Sequence, residues 1–252
     1  MIDGKKVVAT IEARMSSTRL PGKVLMPMAG RPVLQHVVER HRKSKLTDEV
    51  VVATTTNTTD DVIEALCAEI HCPIFRGSEK DVLGRIVAAG DTHDAEIQVQ
   101  GMSDDPCTDW RFVDHLIALL LEGGYDCADS ELSESFPVGL GMRVYRFSAL
   151  EKAAADDKEP ALREHAGYSI RSQPEKYKLG SWQAKGNMNW PTLRLTLDTR
   201  EDYELISKVY DELYPENSDF SADDVVTLLK NRPDLAMINS HVVQRDPSKA
   251  SY

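Results

Sequence analysis

Three cations fall within ten residues in the run Ala13-Arg14-Met15-Ser16-Ser17-Thr18-Arg19-Leu20-Pro21-Gly22-Lys23. Arg14, Arg19 and Lys23 are five and four positions apart, and Ser16, Ser17 and Thr18 place hydroxyls between them. Guanidinium and ammonium groups neutralise phosphate oxygens, while hydroxyls and backbone N–H groups cradle them. Cations at these intervals can surround a polyphosphate rather than pin one oxygen. The segment is not a Walker loop, because Gly22-Lys23 is followed by Val24. The plainer alternative is a solvent loop with ordinary surface cations.

Two acidic turns could face such a loop. In Asp104-Asp105-Pro106 the proline pushes Asp105 out of the helical region. Neighbouring side chains on an extended segment point oppositely, so one carboxylate of the pair is expected to face the cleft. A carboxylate opposite phosphates suits Mg²⁺, which takes one or two carboxylates plus phosphate oxygens. It equally suits a turn or a helix cap. Asp198 follows the alternating run Leu193–Leu197, with Asp202 four residues on. Either could serve the metal, and Asp198 or Thr199 could instead cap the next helix with Glu201 or Asp202. His165, in Arg163-Glu164-His165, reads first as a structural or exposed histidine. Arg76-Gly77-Ser78-Glu79 reads as a binding edge or as a simple turn.

The elements that must carry these residues alternate. Val7–Ile11, Glu49–Thr54, Pro73–Phe75 and Ala95–Gln100 read as strands. Pro32–Lys43, Asp60–Ile70, Asp81–Ala89 and Asp109–Leu121 read as helices between and after them. Alternation over the first ~125 residues is the signature of a parallel α/β sheet with right-handed crossovers. Ligands of such sheets sit beyond the carboxyl ends of the strands, which is where the loops after Ile11, Thr54, Phe75 and Gln100 lie. The second half is less regular. Residues 125–146 read as extended with turns, 147–156 and 161–171 as helices, and Leu193–Leu197 as a strand. A helix to about Leu213, another at Asp223–Lys230 and a loose polar tail from about Gln244 complete the chain.

The net charge of −11 argues against a nucleic-acid or anionic-membrane binder. Its distribution is uneven: residues 1–45 hold ten lysines and arginines against three acids. A basic segment on an acidic body fits a compact anion such as a phosphorylated metabolite, although Arg40–Lys45 equally fits a solvated helix face. The longest apolar run, Leu116–Leu121, is six residues, where a membrane span needs about 20. No secretory signal follows Lys5 and Lys6, so a cytoplasmic protein is expected. Cys67, Cys72, Cys107 and Cys127 form no CxxC pair and read as free buried thiols. His36 and His41 are five apart, not the four of a helical metal pair.

The run from Ala13 to Leu25 resembles the opening loop of the cytidylyltransferases that activate acidic sugars. It is similar to the spore-coat-polysaccharide branch, often described as acylneuraminate cytidylyltransferase-like, and to the enzymes that make CMP-linked octulosonic acid. EVVVATTTN (Glu49–Asn57), FRGSEKDVLGR (Phe75–Arg85), DDP (Asp104–Pro106), REH (Arg163–His165) and LRLTLDTREDYELI (Leu193–Ile206) match in order. The resemblance implies an α/β, nucleotide-diphospho-sugar-transferase-like fold, Rossmann-like, with a mixed but mainly parallel sheet flanked by helices. It implies one domain over 1–240, split into a nucleotide-binding half (1–125) and an acceptor-binding and dimerising half (126–240), then a polar tail at 241–252.

By position, the resemblance assigns Ala13, Arg14, Ser17, Thr18, Arg19, Lys23, Thr54, Arg76, Ser78, Asp81 and Asp104 to the nucleotide. It assigns Asp104 and Asp198 to Mg²⁺, and Arg143, Glu164 and His165 to the acceptor. Arg14, Lys23, Asp104 and Asp198 would carry catalysis. The expected reaction is attack on CTP by a small anionic sugar or phosphorylated acceptor, with pyrophosphate leaving, in a homodimer. Departures are visible. Met102-Ser103 stands where the family has a glycine before the metal aspartate. Gly139-Leu140-Gly141-Met142-Arg143 stands where the spore-coat branch reads G-L-D-V-E. Losing two carboxylates and gaining Arg143 favours a more anionic acceptor. Rival readings are a metal-dependent glycosyltransferase and a non-catalytic nucleotide-binding protein.

Overall fold

Val7–Ile11 is apolar at almost every position because its strand is covered on both faces. In the computed structural model, which describes residues 1–244, β1 (Val7–Glu12) is buried as far as Ile11. It is followed by the two-residue strands β2 (Pro27–Met28) and β3 (Arg31–Pro32) and then α1 (Val33–Arg42). The alternation continues through β4 (Glu49–Thr55), α2 (Asp61–Glu69), β5 (Ile74–Gly77), α3 (Val82–Thr92), β6 (Ile97–Met102) and α4 (Trp110–Gly123). The second half comprises β7 (Cys127–Asp129), β8 (Arg143–Arg146), α5 (Phe147–Asp156), α6 (Pro160–Glu164), α7 (Tyr168–Arg171) and β9 (Leu179–Ser181). It ends with α8 (Arg200–Leu213), α9 (Ala222–Asn231) and α10 (Pro233–Ala236).

Seven strands form one sheet in the order β5-β4-β1-β6-β8-β7-β9. β8 pairs antiparallel with both β6 and β7, and every other pairing is parallel. The expected α/β fold with a mixed, mainly parallel sheet is the one observed. Residues pointing alternately from β1 meet different layers. Val7, Ala9 and Ile11 pack with α1, α2 and α4, while Val8 joins Val51, Ala95 and Phe147 on the opposite face. A third apolar body, built from α8, α9 and the Phe136–Leu140 and Leu193–Leu197 segments, packs beside the sheet. No helix among the described residues is long and apolar enough to cross a membrane.

Two expectations are corrected. Leu193–Leu197 is not a strand of the sheet: it is an extended segment with a single bridge, Val138 to Arg194. Its apolar alternation serves the third core, where Leu193, Leu195 and Leu197 are buried. The helix expected over 161–171 is broken into α6 and α7. Gly167 between them has φ +76°, and a Cβ there would lie 2.2 Å from the Tyr145 hydroxyl, so close approach to Tyr145 requires glycine and a bend. The strand β9 lacks a sequence signature; its middle residue is Gly180. The polar tail expected beyond Gln244 lies outside the described residues.

The basic stretch of α1 is structural. Arg40 is buried, donates to the carbonyls of Thr108 and Phe220, and lies over the Phe220 ring. Arg42 donates to the carbonyls of Ile70 and His71 at the end of α2, and Lys43 pairs with Asp219.

Beside them His41 is fully buried, and neither ring nitrogen has a hydrogen-bond partner among the described residues. Burial, aided by the charge of Arg40, pushes its pKa down to about 4. The folded protein therefore refuses a proton that the unfolded chain accepts. Stability is unaffected above pH ~6.5 and declines as pH falls towards 4, by up to about 1.4 kcal/mol per unit. Urea unfolding of wild type and His41→Leu between pH 7.5 and 4 should show this decline in wild type in excess of the variant. Parallel pH dependences would contradict it.

Candidate active site

The loop after β1 is held from below. Asp60, 1% exposed, accepts from the Met15 N–H at 2.8 Å and from the hydroxyls of Thr54 and Thr55. The Gly22 N–H donates to the Met15 carbonyl at 3.1 Å and closes the loop. Gly22 has φ +72°, a left-handed conformation that glycine adopts without strain, and the next residue, Lys23, turns inward and is buried.

The Lys23 ammonium then joins two carboxylates far apart in sequence. Nζ lies 2.7 Å from Asp104 Oδ2 and 2.9 Å from Asp198 Oδ1. The backbone explains the meeting. The Leu197 N–H donates to the Asp104 carbonyl at 2.7 Å, fixing the two acidic segments side by side. Arg19 and Arg194 each place an Nη2 2.8 Å from Asp198 Oδ2. Burial works against every charge here. For Lys23 it is outweighed by Asp104 and Asp198, which hold its pKa above the ordinary lysine value. For Asp198 it is outweighed by Lys23, Arg19 and Arg194, which hold its carboxyl below the usual range.

The alternatives left open by spacing separate cleanly. Asp202 completes a capping box with Thr199 at the start of α8 and pairs with Arg194, whereas Asp198 turns to Lys23. Asp105 is buried, with Oδ1 unpartnered among the described residues. Burial, then the Asp104 charge, pushes its carboxyl well upward. Only Asp104 of the pair meets Lys23; the two lie in a turn closed by the Asp105 N–H to the Met102 carbonyl, not on the extended segment expected.

Other expected residues are placed elsewhere. Ala13 is buried at the base of the loop, Ser17 is half-buried and accepts from the Leu20 N–H, and Thr18 is exposed. Arg14 is exposed and paired with Glu79, which also accepts from Ser16 and Asn57. Four other side chains assigned to the nucleotide are engaged with the fold in this structure. Thr54 is fully buried and donates to Asp60. Arg76 pairs with Asp61 and Glu64. Ser78 accepts from the Asp81 N–H. Asp81 caps α3 through the Gly84 N–H and takes two bonds from Arg163.

The residues assigned to the acceptor are also engaged or buried in part. Arg143 contacts Glu131 and lies 3.7 Å from Asp129, with Arg171 close to the same two acids. Its charge is therefore matched by these acids in this structure. Glu164 makes no side-chain hydrogen bond among the described residues, and the buried His165 Nε2 has no partner. Sequence reasoning missed Asp60, Arg194 and the Gln100–Glu12 contact at the ends of β6 and β1, and named Glu79 only as part of the Arg76–Glu79 edge. The DTRED spacing was a signal for Asp202. Nothing local marked the rest.

The site can accept a hard cation. Asp104 and Asp198 already offer oxygens to one positive centre, and oxygen donors of this kind suit a divalent ion completed by phosphate oxygens. The described residues contain no cluster of three or more His, Cys, Asp or Glu residues able to hold a metal without such help. Lys23 occupies the cation position, so a metal alone must compete with it. In Lys23→Met the competitor is gone and two carboxylates repel. Millimolar Mg²⁺ or Mn²⁺, without nucleotide, should raise the melting temperature of Lys23→Met more than that of wild type. Equal shifts would contradict this arrangement.

Comparisons with known proteins identify the family. A family model described as cytidylyltransferase matches residues 8–225. The spore coat polysaccharide biosynthesis protein SpsF of Bacillus subtilis is 34% identical, over 91% of this chain and 96% of its own. The structure of a cytidylyltransferase from Leptospira borgpetersenii superposes with a TM-score of 0.88 at 30% identity, covering 96% of this chain and all of that one. A CMP:2-keto-3-deoxy-manno-octonic acid synthetase complexed with CTP shares the fold, with a TM-score of 0.62 at 19% identity over 82% of this chain and 99% of that one. The chain belongs to the cytidylyltransferase family of nucleotidyl-transferring enzymes.

Proposed function

We propose that this protein transfers a cytidylyl group from CTP to an acidic, ulosonic-acid-like sugar or a phosphorylated sugar or polyol. Pyrophosphate leaves, and the product feeds surface polysaccharide synthesis. The observation that carries the reading is the Lys23 bridge between Asp104 and Asp198 at the carboxyl edge of the sheet. CTP is supported by family membership and by the CTP named in the synthetase complex of the same fold. The polysaccharide context is supported by the likeness to SpsF. Mg²⁺ as the metal and a homodimer formed by the second half rest on the family resemblance.

In this reading Asp104 and Asp198 hold a divalent ion, which would neutralise charge on the phosphate oxygens when bound. The protein's own groups do the positioning. Lys23 and Arg19 leave the carboxylates and engage phosphate oxygens. Arg14 exchanges Glu79 for the same polyphosphate. The Asp60 bonds keep the loop backbone in place while these side chains move. Arg194, fixed by Asp202, stays behind to orient Asp198. Such a site lowers the barrier mainly by alignment and charge stabilisation.

Pyrophosphate release should be measured with each of the four nucleoside triphosphates against ulosonic acids and sugar or polyol phosphates. CTP should be preferred. Asp104→Ala and Lys23→Ala should each lose at least about 10²-fold in kcat/KM, as expected for removal of a transition-state charge partner. Release near wild-type rates in both variants would overturn the reading. A nucleoside diphosphate as product would indicate glycosyl transfer instead.

A further inference from the structure

Most acidic side chains around the cleft are committed: Asp60, Asp81, Asp202 and Glu79 each serve caps, threonine hydroxyls or ion pairs. Glu12 is different. It is the last residue of β1, in register with Ala53 and Met102 at the carboxyl ends of the flanking strands. Its carbonyl accepts the Ser103 N–H at 3.1 Å, so the turn that carries Asp104 is attached to Glu12's own backbone. Its side chain is half-buried and forms no ion pair among the described residues. One oxygen, Oε1, accepts from Gln100 Nε2 at 2.7 Å. The other, Oε2, has no hydrogen-bond partner among the described residues.

Gln100 is itself oriented. Its Oε1 accepts from the Tyr145 hydroxyl at 3.2 Å and faces Arg143 Nη1 at 3.4 Å. This leaves its amide N–H₂ to face Glu12. The Tyr145 hydroxyl is in turn seated against Gly167. An aligned carboxylate with one oxygen held and one free is placed to accept a proton at that free oxygen. A half-buried carboxylate without a cation partner is costly to keep.

We propose that Glu12 is the general base of the reaction. It takes the proton from a neutral hydroxyl of the acceptor as that oxygen attacks the α-phosphorus of CTP. The new bond is acceptor oxygen to α-phosphorus. The bond that breaks joins the α-phosphorus to the oxygen bridging to the β-phosphorus, and its electron pair leaves with pyrophosphate. The proton ends on Glu12 Oε2 and passes to solvent. This rests on the cytidylyl-transfer reading and narrows it: the nucleophile is a sugar hydroxyl. A phosphate monoester oxygen is already ionised near neutral pH and needs no base.

The electrostatic setting is compatible with the role. Burial raises the Glu12 carboxyl above its ordinary value, against the Gln100 bond and the charges of Arg85 on α3 and Arg143 on β8. Asp104, on the turn after β6, adds to the rise. A carboxylate tuned upwards is a better proton acceptor at neutral pH.

The test compares wild type, Glu12→Gln and Glu12→Asp in pyrophosphate release from CTP. The acceptors are 2-keto-3-deoxy-manno-octonic acid and a panel of other ulosonic acids and sugar phosphates. CTP affinity is measured by calorimetry in parallel. Glu12→Gln should bind CTP within about twofold of wild type. With the hydroxyl acceptor it should lose about 10²-fold or more in kcat, the range of general-base catalysis, together with the acid limb of its pH–rate profile. Glu12→Asp should recover part of the rate. Glu12→Gln matching wild type with the acid limb intact would overturn the assignment, as would a wild-type protein that uses only phosphate acceptors. Wild type releasing pyrophosphate with no acceptor would instead defeat the cytidylyl-transfer reading on which the assignment rests.

Discussion

The Lys23 ammonium between Asp104 and Asp198 is the interaction on which the site depends. Two like charges near 5 Å apart repel by roughly 3 kcal/mol at an effective dielectric of ~20, so these carboxylates converge only around a cation. Lys23 supplies it in the ligand-free protein, with Arg19 and Arg194 on the far side of Asp198. The cluster is thereby charge-matched. In the proposed function a metal–nucleotide complex would bring its own cation and its own anions, and each protein charge would change partner without being left bare. That exchange would account for several cations in one loop of an otherwise acidic chain.

The convergence is a property of the whole fold. Lys23 comes from the loop after β1, Asp104 from the turn after β6, and Asp198 from the segment before α8. The adjacency of β1 and β6 in the sheet places the first two together. The third arrives through one backbone bond, Leu197 N–H to the Asp104 carbonyl. That bond is stabilised by a separate apolar core on one side and by the Thr199–Asp202 cap on the other. Burial of leucines at 193, 195 and 197 is thus what positions Asp198.

Much of this was legible in the sequence because it is local. Strand–helix alternation and the cation spacing at Arg14, Arg19 and Lys23 are short-range patterns. The partners of individual side chains were not legible. Thr54, Arg76 and Asp81 lie near the ligand edge in sequence order, yet Asp60, Asp61, Glu64 and Arg163 occupy their polar groups. Leu193–Leu197 alternates like a strand because its leucines enter an apolar core while the equally buried Arg194 and Thr196 face polar partners, and burial without sheet pairing leaves the same pattern. Glu12 stands out in the sequence only as a departure from the Pro or Gln common in the resembled family; its partner, Gln100, is 88 positions away.

The most direct measurement is a crystal structure with Mn²⁺ and a non-hydrolysable CTP analogue, with manganese located by its anomalous signal. The account predicts manganese bound to both Asp104 and Asp198, with the Lys23 ammonium moved onto phosphate oxygens. Nucleotide bound with Lys23 still bridging the two carboxylates, or manganese located away from them, would contradict it.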